Sequence, residues 1–226
     1  MLKDSQPNNS LPLPNSLSVS PTVELDKVLE FVDQNIADFC TYYQTIKDSD
    51  RENRISDFLV HHFQLCKSEQ SGGFFPYDFR KNPTQEHSGK ETDIGVFVLT
   101  RGNKPVPIIE FEAKRFSESS NNKEYVCGER GGIERFKRSH HSSHLSVCGM
   151  FGYVQSRTAS EWNTKVNEWI RELGTDNADP TIDWTAKEEM LIPIKSFNKL
   201  EIYSSQNLRK QNNNKILLWH YFIELN

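Results

Sequence analysis

The chain has 226 residues, of which 35% are hydrophobic and 26% are charged, and its formal net charge is −4. This length and apolar content predict one domain with its own hydrophobic core. The slight acidic excess excludes a protein that binds nucleic acid through overall positive charge, although a local basic patch remains compatible with such binding. No apolar run reaches the length of a membrane span, the N-terminus lacks a signal-peptide pattern, and the four cysteines show no paired spacing. We therefore expect a cytoplasmic protein with reduced thiols.

The N-terminal part of the chain carries two predictions. Residues 1–20 are rich in Ser, Asn, Pro and Leu without a period, which is typical of a disordered arm. An additional N-terminal helix is predicted over residues 21–47, because apolar residues recur there at helical spacing. These apolar residues are Val28, Val32, Ile36, Phe39 and Tyr43. We expect the helix to pack on the domain or to contact a second copy of the chain or a partner protein.

A second helix is predicted from about residue 50 to residue 65, with Ile55, Leu59 and Phe63 as its apolar stripe. Glu52 lies on the same stripe, one turn before Ile55. A glutamate on a buried helix face costs free energy, which makes Glu52 a candidate site residue. The alternative is that Glu52 lies in the first turn and interacts favourably with the helix dipole.

The segment over residues 93–114 has two apolar stretches that flank a Gly-Asn turn at residues 102–103, a pattern that predicts a β-hairpin. Alternate residues of a strand share a face, so Glu110, Glu112 and Lys114 lie together, opposite an apolar face. Such a row of charges is costly for a strand with a structural role alone. Hard divalent cations take oxygen ligands, and a neighbouring lysine binds phosphate or moves a proton.

The remaining elements predict an α/β fold with a mixed β-sheet flanked by helices, in a single domain over residues 21–226. They are a strand at residues 74–79, a glycine-rich loop and short basic helix at 127–138, a buried strand at 147–155, a helix with a capping box at Thr158 and Glu161 that ends at Gly174, and a C-terminal hairpin of residues 200–204 and 216–225.

The chain carries a set of ordered motifs: Glu52 on a helix, Asp93 at the start of a strand, and Glu112-Ala113-Lys114 on the next strand. In these motifs it resembles the PD-(D/E)XK nuclease superfamily, which has the restriction-endonuclease-like fold. The resemblance covers about residues 52–155 through ordered motifs and not through continuous similarity. Thr92 stands where the name-giving proline would precede Asp93, and that proline carries no ligand.

The resemblance implies a role for each matched residue. Asp93 and Glu112 would bind Mg²⁺ directly, with Mn²⁺ as a substitute, and the carbonyl group of Ala113 would complete the protein's ligands. Lys114 would position or deprotonate the attacking water, or stabilise the phosphate. Glu52 would hold the metal through water or bind a second ion. Two carboxylates suffice for Mg²⁺, which keeps several of its waters.

Two further residues near the motif have less defined roles. Gln155, at the end of the later strand, resembles the accessory catalytic glutamine of some branches of the superfamily. Glu110 is an extra acid, and we expect an exposed strand residue there, with a substitute metal ligand as the alternative.

A basic segment follows the motif and is predicted to bind nucleic acid, because neutralisation of phosphates dominates such binding. Its residues are Arg115, Arg130, Arg135, Lys137 and Arg138. The alternative is a solvated helix face. The tract of His140, His141 and His144 with Cys148 permits a structural zinc site as a further alternative, but it lacks the paired ligands typical of such sites.

Together these observations predict a Mg²⁺-dependent phosphodiesterase that acts on nucleic acid, as a DNA endonuclease. By association, proteins that resemble this superfamily often serve in restriction, repair or anti-phage defence. The alternative is a nuclease-like subunit of a larger complex that binds nucleic acid or a partner protein without cleavage. In degenerate subunits an acid or the lysine is usually lost, and here every position is filled.

Overall fold

A computed structural model of the chain describes residues 21–69, 75–84, 91–99, 105–128, 131–176, 179, 181–185, 187, 189–211 and 213–226. The predicted arm at residues 1–20 and the predicted turn at residues 102–103 lie outside these ranges. No helix within them is long and apolar enough to cross a membrane.

The described residues form α-helices, a single 3-10 helix and β-strands in an order that agrees with the predicted α/β class. The helices are α1 (Pro21–Ile46), α2 (Glu52–Glu69), α3 (Gly132–Lys137) and α4 (Ala159–Asp176), with the 3-10 helix at Asn122–Tyr125. The strands are β1 (Tyr77–Lys81), β2 (Ile94–Val98), β3 (Pro107–Phe116), β4 (Val147–Val154), β5 (Ile192–Phe197), β6 (Leu200–Arg209) and β7 (Asn214–Glu224).

The strands form one mixed seven-stranded sheet in the order β1-β2-β3-β4-β7-β6-β5. Its centre is parallel, since β4 pairs with both β3 and β7 in parallel. Antiparallel hairpins extend it on both sides, β1 and β2 beyond β3, and β6 and β5 beyond β7. The parallel centre carries nearly continuous buried residues, as expected for strands covered on both faces.

Helices cover both faces of the sheet and separate two hydrophobic clusters. On one face α1 and α2 pack against Phe111, Phe151 and Tyr221. On the other face α3, α4 and the 3-10 helix pack around Phe116 and Phe222. The protein is therefore a helix-sheet-helix sandwich, and β3 contributes side chains to both clusters.

The additional N-terminal helix packs on its own domain. All five residues of its predicted stripe, Val28, Val32, Ile36, Phe39 and Tyr43, are fully buried in the first cluster. This stripe is therefore not available for the homodimer or partner contact that was the alternative, which would need the exposed face of α1.

Most predicted elements are confirmed, with three corrections. The capping box is present, because Thr158 and Glu161 exchange hydrogen bonds at the start of α4. Gly174 does not end α4, which continues to Asp176. Strand β5 was not predicted, and the first strand begins at Tyr77 instead of residue 74.

A close approach between strands fixes the position of β3. Phe111 lies opposite Gly149 in the parallel pair of β3 and β4. A Cβ atom at Gly149 would lie 2.2 Å from the ring of Phe111, so the ring occupies the space of the missing side chain. Phe111 also stacks on Phe151 with 4.7 Å between ring centroids. Glu112 follows directly and points to the opposite face.

Candidate active site

The structure brings Glu52, Asp93, Glu112 and Lys114 together where α2 begins, β2 begins and β3 approaches its end. Asp93 precedes β2, and its Oδ2 accepts a hydrogen bond of 2.7 Å from the backbone N–H of Ala113. Glu52 is the first residue of α2, and its Oε2 accepts a hydrogen bond of 3.1 Å from the backbone N–H of Arg115. Both acids are thus tied to β3 on either side of Lys114.

Lys114 lies at the centre of this group. Its Nζ donates a hydrogen bond of 2.9 Å to the carbonyl of Ala113 and lies 3.6 Å from Glu52 Oε1 and 3.8 Å from Glu112 Oε2. Burial alone would lower the pKa of Lys114, but the carboxylates of Glu112, Glu52 and Asp93 outweigh burial and raise the pKa. The amine is therefore a firmly held ammonium group.

Glu112 is the most deeply buried acid of the group, with 1% of its surface exposed. Burial, and secondarily the charge of Asp93, raises its pKa from 4.5 to about 8. Its Oε1 is buried and has no hydrogen-bond partner among the described residues. A buried, unsatisfied carboxylate oxygen beside a second carboxylate is costly, and it is the arrangement that a bound cation relieves.

Two cationic or polar side chains from the segment after β3 approach Glu112. Arg135 on α3 donates a hydrogen bond of 3.2 Å from Nη1 to Glu112 Oε2. His141 is buried, and its Nε2 lies 3.6 Å from Glu112 Oε1. The sequence predicted that Arg135 binds nucleic acid, and it predicted no contact between His141 and an acidic side chain. The histidine tract was the available signal, but nothing in its spacing pointed to Glu112.

The residues present fit a Mg²⁺ site of the water-rich kind. Asp93 and Glu112 supply two carboxylates, and the carbonyl of Ala113 is adjacent, although it accepts the Lys114 amine in this structure. Within the described ranges, no group of three or more His, Cys, Asp or Glu side chains is arranged to hold a metal ion. An all-protein cage is thus absent from these residues, whereas Mg²⁺ typically binds through one or two carboxylates and several waters.

Gln155 lies beside this group but contacts a backbone carbonyl. Its Nε2 donates a hydrogen bond of 2.9 Å to the carbonyl of Asp50, and Arg115 Nη1 donates one of 3.0 Å to the same atom. Asp50 precedes α2 by two residues. The geometry therefore makes Gln155 a positioning residue for the turn that carries Glu52.

Two residues that were predicted to contact nucleic acid pair with acids of this chain. Lys137 is 1% exposed, and its Nζ pairs with Glu189 and donates a hydrogen bond of 2.7 Å to the carbonyl of Asp183. Arg138 is engaged by Glu134, at 2.7 Å, and by Asp179. Both cations stabilise the packing of α3 on the segment that precedes β5. Arg130 lies outside the described residues.

One further prediction near the site, the exposed Glu110, is wrong, and the zinc alternative involves the neighbouring Cys148. Glu110 is not an exposed strand residue, because it is 1% exposed and accepts a hydrogen bond from Ser142 Oγ. Cys148 is fully buried in β4, and burial raises the pKa of its thiol to about 12. The histidine tract forms no metal-binding group with Cys148 among the described residues.

Comparison of the chain with protein families, with curated proteins and with solved structures finds no match.

Proposed function

We propose that this protein is a divalent-metal-dependent phosphodiesterase that cuts internal bonds of nucleic acid, with DNA as its substrate. The observation that supports this most is the unsatisfied Oε1 of Glu112, buried in a cluster with Asp93, Glu52 and Lys114. Two carboxylates that repel each other beside an ammonium group are what metal-assisted phosphate hydrolysis uses. A role in restriction or anti-phage defence would be consistent with such an activity.

Each residue of the cluster would have its own role in the proposed hydrolysis. Asp93 and Glu112 would hold Mg²⁺ through their carboxylate oxygens, and the bound ion would supply Lewis-acid stabilisation and a water of lowered pKa. Lys114 orients the attacking water or stabilises negative charge on the phosphate. Glu52 would pair with the ammonium group of Lys114 and hold it beside Glu112.

The second candidate is a nuclease-like subunit that binds nucleic acid or a partner protein without cleavage. One observation favours it: Lys114 and Arg135 already lie at 3.8 Å and 3.2 Å from Glu112 Oε2. Two cations beside the buried carboxylate would stabilise its charge without a metal.

The test is cleavage of supercoiled plasmid, linear duplex DNA, single-stranded DNA and RNA, with Mg²⁺, Mn²⁺ or EDTA. We expect metal-dependent nicking or linearisation of the plasmid by the wild type. Lys114→Ala should lower the rate by at least about 100-fold, the usual effect of losing a charge-stabilising group. Lys123→Ala is the matched control, since Lys123 pairs on the surface with Glu172.

Equal rates for the wild type and Lys114→Ala would contradict the proposed role of this cluster. No cleavage of any substrate by a folded wild-type protein, in any metal, would favour the non-cleaving candidate. Preference for RNA over all DNA substrates would retain the chemistry and overturn the choice of substrate.

A further inference from the structure

Arg135 differs from the other cations of its helix in the partner that it contacts. Lys137 and Arg138 pair with acids that have no part in the site, namely Glu189, Glu134 and Asp179. Arg135 instead directs its guanidinium to Glu112, the buried acid of the cluster. Its side chain remains 27% exposed, so the guanidinium lies between the buried carboxylate and solvent.

The two cations beside Glu112 are held in different ways. Lys114 is anchored to the backbone carbonyl of Ala113 and to Glu52, so its position does not depend on Glu112 alone. The hydrogen bond of Arg135 goes to Glu112, and its backbone is fixed by the helix through the carbonyl of Gly131. A change in the charge around Glu112 would therefore move the Arg135 side chain more readily than Lys114.

We infer that Arg135 is a displaceable hydrogen-bond partner of Glu112, and that it leaves Glu112 when a divalent cation binds and then contacts a phosphate of the nucleic acid. The inference rests on the proposed function. A divalent cation and a guanidinium compete for the same carboxylate, because each is stabilised by its negative charge and each repels the other. An arginine freed from a carboxylate is well suited to phosphate, which has a similar arrangement of acceptors.

Displacement of Arg135 from Glu112 couples the binding of the divalent cation to the binding of nucleic acid. In the metal-free protein the guanidinium is hydrogen-bonded to Glu112 and contributes little to phosphate binding. Once the cation occupies the carboxylate, the guanidinium is available at the rim of the site. Metal therefore strengthens nucleic-acid binding and, by linkage, nucleic acid strengthens metal binding.

The first measurement is Mn²⁺ affinity by calorimetry, without nucleic acid, for wild type, Arg135→Gln and Arg135→Lys. We expect Arg135→Gln to bind Mn²⁺ about tenfold more tightly, a typical size for coupled sites. Arg135→Lys keeps the charge and should remain closer to the wild type. Arg171→Gln, which removes one exposed positive charge from α4, is the control for net charge.

The second measurement is the affinity for a fluorescein-labelled DNA duplex, with Mn²⁺ or with EDTA, in a Lys114→Ala background that avoids cleavage. We expect Mn²⁺ to strengthen binding when Arg135 is present, and most of this gain to be lost in the Arg135→Gln double variant. Circular dichroism and thermal unfolding verify that each variant is folded. If Arg135→Gln does not fold, the wild type is compared with Arg135→Lys instead.

The outcomes separate the inference from the proposed function. If the wild type binds Mn²⁺ and Arg135→Gln binds it with the same or a lower affinity, the inference is overturned and the proposed function stands. Mn²⁺ binding by neither protein would overturn both. Mn²⁺ binding by Arg135→Gln alone would support displacement by showing that Arg135 blocks the site.

Discussion

At the residue scale, Glu112 is a buried acid whose two carboxyl oxygens have different surroundings. Its Oε2 is shared by Arg135 and Lys114, whereas its Oε1 has no hydrogen bond among the described residues. A carboxylate buried in this way is destabilising when charged, because water is lost and the replacement is incomplete.

The raised pKa of Glu112 predicts how stability depends on pH. Burial raises this pKa to about 8 in the folded protein, against 4.5 for an unburied glutamate. Between these values the folded state holds a proton that the unfolded chain has lost. The free energy of unfolding of the metal-free protein should therefore fall as pH rises from about 4.5 to about 8.

The measurement is urea unfolding in EDTA at pH 5, 6.5 and 8 for wild type and Glu112→Gln. The variant should show a smaller fall, since glutamine does not titrate. Glu118→Gln, at an exposed glutamate in the turn after β3, should retain the wild-type profile. Identical pH profiles for wild type and Glu112→Gln would show that the pKa of Glu112 is not raised in the folded protein.

Sequence reasoning succeeded at β3 because strand alternation is local. Glu112 and Lys114 are two residues apart on one strand, and the structure places both in the cluster. The same reasoning did not place Lys137, whose burial depends on Glu189, or Glu110, whose partner is Ser142. Those partners come from distant segments, and no pattern within one element encodes such contacts.

At the element scale, the position of α2 depends on the turn before it. Gln155 and Arg115 both donate to the carbonyl of Asp50, and the backbone of Arg115 donates to Glu52. The start of α2 is thus tied to the end of β3 and to the residue after β4. Two segments that are distant from α2 in sequence, the end of β3 and the residue after β4, therefore hold the turn that precedes Glu52.

This arrangement predicts a moderate effect of Gln155→Ala on the proposed cleavage activity. Loss of one hydrogen bond worth about 1 kcal/mol should lower kcat roughly fivefold through a less well-held Glu52, far less than the loss of Lys114. KM should change little, since Gln155 contacts the turn and not the substrate. Steady-state kinetics on a labelled duplex is the measurement.

The control is Gln206→Ala, at an exposed glutamine on β6. A loss of activity by Gln155→Ala as large as that of Lys114→Ala would assign Gln155 a direct catalytic contact instead. Partial rescue by Gln155→Glu is not expected, because a carboxylate cannot donate to the carbonyl of Asp50.

Two features of the secondary structure could not be predicted from the sequence, for physical reasons. Strand β5 has exposed side chains throughout, so it lacks the alternation of apolar and polar residues that predicts a strand. Strand β5 forms because it pairs with β6. Helix α4 continues past Gly174 because a glycine within a helix has only a modest cost, about 1 kcal/mol, which packing of α4 on the sheet offsets.

At the scale of the whole molecule, the second hydrophobic cluster encloses a polar network. His220 on β7 is fully buried, with Nδ1 2.8 Å from the hydroxyl of Tyr125 and Nε2 2.8 Å from the hydroxyl of Ser205. Asn207 donates to the same Ser205 hydroxyl. Burial lowers the pKa of His220 from 6.5 to about 3, so the ring is neutral in the folded protein.

The network predicts acid sensitivity of the whole domain. Between pH 6.5 and about 3 the unfolded chain binds a proton on His220 that the folded protein does not bind. The contribution of the buried neutral His220 to stability is therefore fully present above pH 6.5 and is lost as pH falls towards about 3. The slope of unfolding free energy against pH between 6 and 4 should be smaller for His220→Asn than for the wild type.

The exposed His61 on α2 provides the matched variant, and His61→Asn should leave the slope unchanged. Equal slopes for wild type and His220→Asn would show that His220 does not contribute to acid unfolding. The comparison uses differences from the wild type, because carboxylates also titrate in this range.

Strand β5 has a consequence for how molecules of this protein meet one another. It is the last strand of the sheet, with no strand on its outer side among the described residues, and it exposes Ile192, Ile194 and Phe197. Unpaired backbone groups beside apolar side chains favour intermolecular strand pairing, which Pro193 and the local register shift only partly oppose. Crowded solutions of the protein should therefore be colloidally less stable than its net charge suggests, with association starting at this strand.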